Sequence, residues 1–263
     1  TGRVDLVTGT AGGLLTIDAP VTAARVTATT DRITVNAAFG VGASEVDLAT
    51  TDPTRGILIG TGTGGSQLAN PGSDTTALAL NQAEFDRLGS ATAAVRLSTG
   101  TGTIAIQGAP PASSVGLDLG SRRLFLATGN STGSAISQTH RIVGASGSAL
   151  AATAASGSVI LTNTGNAVGT IAGRAGGAGN TFSYASAGGV SVGAVQGGAI
   201  VPSLEGIVTS GAPITLSVNG ALALDRPLAA PGSTVTLTNT GTAAITQSNV
   251  APITANTLTI QSA

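Results

Sequence analysis

The chain has 263 residues with no Cys, Met or Trp, a single His, 9% charged residues and a formal net charge of −1, and its cations are all Arg. So small a cationic inventory cannot build the basic face that nucleic acid or an anionic membrane requires. The absence of thiols excludes a disulfide framework and thiolate metal sites. An apolar content of 41% excludes the composition of a disordered chain.

Taken in chain order, the apolar residues recur in short period-two runs rich in Val, Ile and Thr. The first are Leu14–Ile17, Arg25–Thr29, Arg32–Asn36 and Gly56–Ile59. Next come Ala94–Ser98, Thr103–Gln107, Arg123–Ala127, Ser158–Thr162 and Val190–Val195. The series ends with Pro213–Val218, Ala221–Leu224, Thr234–Thr238 and Asn256–Ile260. Gly, Asn, Asp, Ser and Pro separate them, and the 39 glycines are about twice the usual share of roughly 7%. Alternation within short runs predicts strands with one buried face. None approaches the roughly 18–20 continuous apolar residues that span a bilayer. One segment departs from this pattern. Asn81–Leu88 has helix character, with Asn81 able to cap the first turn, Glu84 placed to complete a capping box, and Leu80, Phe85 and Leu88 on one side.

The runs also repeat. Ser158–Gly165 (SVILTNTG) reappears as Ser233–Gly241 (STVTLTNTG), and Ala135–Gln138 (AISQ) is matched by Ala244–Gln247 (AITQ). Self-similarity at roughly 20–30 residues is the mark of a solenoid. A hairpin-built sandwich would use more two-residue Asn-Gly or Asp-Gly turns than the lone Asn219-Gly220. The expected fold is an all-β parallel β-helix of roughly ten to twelve coils, near 50–60 Å long at about 4.8 Å per coil. Residues 1–263 are read as one rod, with 61–89 as an inserted loop and short helix.

Gly56–Gly60, Leu78–Leu88, Ala94–Ser98 and Gly102–Ile106 together resemble a recurring unit of large filamentous-haemagglutinin-like exoproteins. Asn166–Ala172, Phe182–Gly193 and Ile253–Ile260 strengthen the likeness, which covers most of the chain. The resemblance implies a right-handed β-helix, export through the outer membrane, and roles in adhesion, aggregation or matrix formation. It supplies no catalytic residues. Such exoproteins are usually much longer.

Catalytic chemistry finds little to work with. His140, the sole histidine, falls in a turn and is read as exposed, without the neighbouring nucleophile that a base needs. Glu45 and Asp47 share a strand face with Asp52 close by, and are read as solvated outer-face residues before a surface cation or sugar site. Gly176–Asn180 has half of a calcium-binding nonapeptide but Asn where a ligand Asp is needed, so it reads as a flexible corner. Gly60–Gly65 lacks the Lys and the following helix of a phosphate loop. Arg122, Arg123 and Arg141 suggest at most a small basic spot. Phe182 and Tyr184 share a face, either as core filling, preferred for Phe182, or as an exposed sugar-stacking pair.

The sequence therefore predicts no catalytic, cofactor-binding or metal-binding residues and no cofactor. The expectation is a non-enzymatic extracellular rod on a bacterial outer surface, adhesive or structural. Its partners are neighbouring β-helical segments or copies of itself end to end, with surface glycans or proteins as ligands, and neither nucleic acid nor an inserted membrane. Alternatives are a self-assembling filament or layer subunit and, last, a carbohydrate-active β-helical enzyme. The chain begins mid-pattern at Val4–Val7 and closes on a strand without a polar cap, so each end is expected to continue, covalently or by assembly. Residues 61–76 and 170–180 are the expected display loops.

Overall fold

A computed structural model describes residues 2–61, 71–108, 116–129 and 133–263. The chain is a parallel β-helix. On its first face Arg3–Val7, Arg25–Thr29, Glu45–Ala49, Ala94–Thr99 and Arg123–Thr128 pair in that order. Ala149–Ala154, Thr170–Ala175, Ile207–Thr209, Leu228–Asn239 and Ile253–Ser262 continue the ladder, every pairing parallel. Ten strands at about 4.8 Å per step give a rod of about 45 Å.

The second face stacks Gly56–Thr61, Ile104–Gly108, Ser134–Gln138, Ser158–Leu161, Phe182–Ser186 and Ile214–Val218. It continues through residues 235–239 and 258–262 of the two long strands. The third face is short, pairing Val21–Thr22 with Phe39–Val41 and Leu117–Asp118 with Ile142–Val143, with single bridges at Leu88 and Ala167.

In-register pairing stacks like on like, which makes the period-two pattern self-consistent from coil to coil. Val26, Val46, Val95, Leu124, Leu150 and Ile171 form one inward column of the first face, each essentially buried. The adjacent column runs Leu48, Leu97, Leu126, Ala152, Gly173 and Ile207. Each large aliphatic side chain so buried stabilises the fold by about 1.5–3 kcal/mol. The second column narrows to Ala and Gly where the second face brings in Phe182 and Tyr184, both fully buried. A methyl group on Gly173 would collide with the Phe182 ring. The aromatics are therefore core filling, and the exposed pair does not exist.

Corners are closed by polar side chains that consume backbone groups left over by the turns. At the end of the first face Thr50 Oγ1 donates to Thr99 Oγ1 (3.2 Å), Thr99 Oγ1 to the Arg55 carbonyl (2.6 Å) and Thr128 Oγ1 to the Gly102 carbonyl (2.7 Å). After the second face, the repeated Asn163 and Asn239 each accept from the amide two residues on, at 2.9 and 2.8 Å. The two long repeats thus occupy equivalent places in the ladder. The shorter ones do not. Ser134–Gln138 belongs to the second face, whereas Ile245–Gln247 continues a ladder with Val190–Val192 and Leu222–Leu224.

The expected insertion is partly woven into the sheet. Ala77–Asn81 is a strand paired parallel with Gly56–Thr61. The helix is shorter than expected, Gln82–Phe85, with Asn81 as N-cap and the capping box formed. Glu84 also accepts the Val35 amide at 3.0 Å, fastening the helix to the second coil. Residues 62–70 lie outside the described residues, as does most of the Gly60–Gly65 motif. Among the described residues no helix is long and apolar enough to cross a membrane.

Candidate functional site: the strapped outer face

Above Thr170–Ala175 the first face splits, the strand's first half pairing with Val190–Val192 and its second with Ile207–Thr209. The intervening residues 193–206 leave the rod as a hairpin whose stems, Ala194–Val195 and Leu204–Glu205, pair antiparallel. This strap folds back over the outside of the first face. Its Val195 and Val201, with Ile200 and Leu204 beside them, pack on Ala94, Phe125, Ala149, Ala151 and Ala172. Ala where other outward positions carry Thr or Arg leaves room for a second layer.

At the strap's tip stands Glu45. Its Oε1 accepts the Ala199 amide at 2.9 Å and the Arg25 guanidinium at 3.0 Å. Its Oε2 accepts the amides of Ile200 (2.7 Å) and Val201 (2.9 Å). From Glu45 to Thr170 the ladder climbs four steps, about 20 Å, which about six extended residues can cover. The three amides form a nest for an anion, and the anion is supplied by the rod itself. Burial alone would push the Glu45 carboxyl up; the Val201, Ile200 and Ala199 amides and Arg25 together outweigh it and hold the carboxyl below the usual glutamate range. Next to it, burial raises the Asp47 carboxyl despite its ion pair with Arg96 at 3.1 Å.

The strap covers two of the three outward columns of this face. The third stays open, and a groove of about 310 Å³ runs beside the strap between Arg96 and Arg174, with Phe125 in its floor and Ser203 and Leu204 in its wall. A smaller hollow of about 180 Å³ adjoins it, sharing Thr153 and Arg174. Arg96 is bound to Asp47, but exposed Arg174 has no ion-pair partner among the described residues.

Several expectations are corrected by these positions. Glu45 is not a solvated outer-face residue: it is 3% exposed, because the strap lies on it. His140 is buried rather than exposed, held against Gly108. Arg122, Arg123 and Arg141 do not form one basic spot. Arg122 is buried, its guanidinium 5.6 Å from the Phe85 ring centre and donating to the Leu88 and Asp86 carbonyls. Arg123 instead donates to the Gln196 carbonyl of the strap at 2.9 Å. Of the expected display loop 170–180, Thr170–Ala175 is a strand, and the turn after it is closed by Asn180 Nδ2 donating to the Gly176 carbonyl at 2.7 Å. The strap itself escaped the sequence reading, which joined its first stem to Val190–Val192. The available signal was Ala199-Ile200-Val201, an apolar triplet between a Gly pair and Pro202 without period-two company.

Among the described residues no three His, Cys, Asp or Glu side chains gather as a metal site. Comparison with protein-family models, with curated proteins and with solved structures finds no match.

Proposed function

We propose that the chain is a structural and adhesive rod of a bacterial surface or secreted protein, spanning distance and presenting its outer face to ligands. The observation that supports this most is the parallel ladder that runs the length of the first face, a shape whose strand backbone groups are consumed lengthwise. Antibody labelling and protease shaving of intact cells of the source organism test it. Label confined to permeabilised cells would overturn it.

A further inference from the structure

We propose that the groove along the strap binds a carboxylate-bearing sugar, a uronate-type oligosaccharide; the inference rests on the adhesive reading above and names the ligand class of that surface. Every backbone group of the strands beneath the groove is turned lengthwise into the parallel ladder. On this floor a ligand therefore meets side chains alone. An extended peptide would find no backbone partner in the floor, which is costly for amides and carbonyls shielded from water. A sugar carries its hydrogen-bonding groups on its rim and an apolar C–H face, which suits a floor of Phe125 and small aliphatic groups.

The charge has one sign. Arg174 lines both the 310 Å³ groove and the 180 Å³ hollow, so one cationic side chain is shared by the two compartments. Arg96 borders the larger one and is already neutralised by Asp47, leaving Arg174 as the available cation. A guanidinium takes a carboxylate through two parallel N–H···O bonds, and Thr153, which lines both compartments, supplies a hydroxyl for a sugar hydroxyl; Ser203 Oγ is occupied within the strap, accepting the Gly197 amide at 2.9 Å. Two adjoining compartments that share Thr153 and Arg174 match a short chain of acidic rings better than one isolated ring. The larger volume sits at the low end of the roughly 300–1,000 Å³ of small-molecule sites.

Titration calorimetry with trigalacturonate, and with its fully methyl-esterified form as the neutral control, tests the assignment. The acid should bind saturably and the ester about tenfold more weakly, the loss expected for one charge-assisted contact. Arg174→Gln, at an exposed position where circular dichroism should be unchanged, should weaken the acid about tenfold and leave the ester unaffected, and Arg174→Lys should restore part of the loss. Thr153→Trp, which fills the junction, should abolish binding of both. Absence of saturable binding, equal binding of acid and ester, or an unchanged affinity in Arg174→Gln would each overturn the proposal. Failure of binding with surface labelling intact overturns this inference alone; binding without surface labelling overturns the adhesive reading alone.

Discussion

Glu45 and Val201 are 156 positions apart in the chain, and the Val201 amide donates to Glu45 Oε2 at 2.9 Å. This contact, with those from Ala199 and Ile200, makes one carboxylate the anchor of the whole strap. Hydrogen bonds to a buried charge contribute about 1.5–3 kcal/mol each, less when they share one acceptor group. Glu45→Ala should therefore make strap opening easier by about 2–4 kcal/mol, and hydrogen exchange at residues 199–201 should accelerate roughly a hundredfold. The rod's own core columns are untouched, so thermal unfolding should shift by only a few degrees. Unchanged exchange in the variant would mean that the apolar seat alone holds the strap.

The pH dependence follows with opposite signs from the two neighbours. Glu45 is depressed in the folded protein, so its stabilisation is present above the ordinary value of 4.5 and is lost as pH falls through the depressed one. Asp47 is raised, so its contribution is fullest below the ordinary value of 3.8 and is lost as pH rises through the raised one. Arg25 faces the Glu45 carboxylate and Arg96 the Asp47 carboxylate. Exchange at residues 199–201 measured against pH should show strap opening rise sharply on the acid side, and Glu45→Gln should erase that limb. Asp47→Asn should remove the opposing contribution, which falls away as pH rises. An acid limb that survives Glu45→Gln would place its origin elsewhere.

In the core the sharpest test is the pair Gly173 and Phe182, where one added methyl has no room. Gly173→Ala should cost about 1–3 kcal/mol, the range of an overpacked core. Phe182→Leu alone should also destabilise, by leaving unfilled space. Combined, the two should cost less than their sum, because the smaller side chain vacates the place the methyl needs. Urea unfolding of the four proteins measures the coupling. Strict additivity would show that the first face does not narrow on account of Phe182.

Most strands were legible because each coil must satisfy the same period-two rule, and Val, Ile and Thr mark it plainly in runs such as Arg25–Thr29 and Ile214–Val218. Ala149–Ala154 was only grazed at its first residues, since its outward alanines carry no β-branched signal; they are small because the strap lies on them. Thr170–Ala175 was hidden by Gly173, whose smallness answers Phe182 from another coil. Glu45 and Asp47 were correctly placed on one outward face by parity. Parity says which way a side chain points, however, not what later folds over it. The groove beside the strap was illegible for the same reason: its walls come from residues brought together only by the return of 193–206.

Asn166 offers a test of how the coils are stitched together at a corner. It is fully buried, and its Nδ2 reaches the carbonyls of Leu161 (3.1 Å) and Ala185 (3.0 Å) and Gln138 Oε1 (2.9 Å). Its Oδ1 accepts from the Ile142 amide (2.7 Å) and Gln138 Nε2 (2.8 Å). One side chain thereby closes backbone groups of successive coils, and removing it leaves several of them unpaired away from water. Asn166→Ala should cost about 3 kcal/mol or more, well above the few tenths expected at an exposed position. Asn166→Asp should behave differently. A carboxylate facing the Leu161 and Ala185 carbonyls is disfavoured, so its folded pKa would rise and its stability would be retained in acid but lost as pH climbs through that raised value. Urea midpoints measured across pH should therefore converge on the parent protein at low pH and fall below it at neutral pH. A midpoint for Asn166→Asp that tracks the parent at every pH would show that water, rather than Asn166, serves those carbonyls.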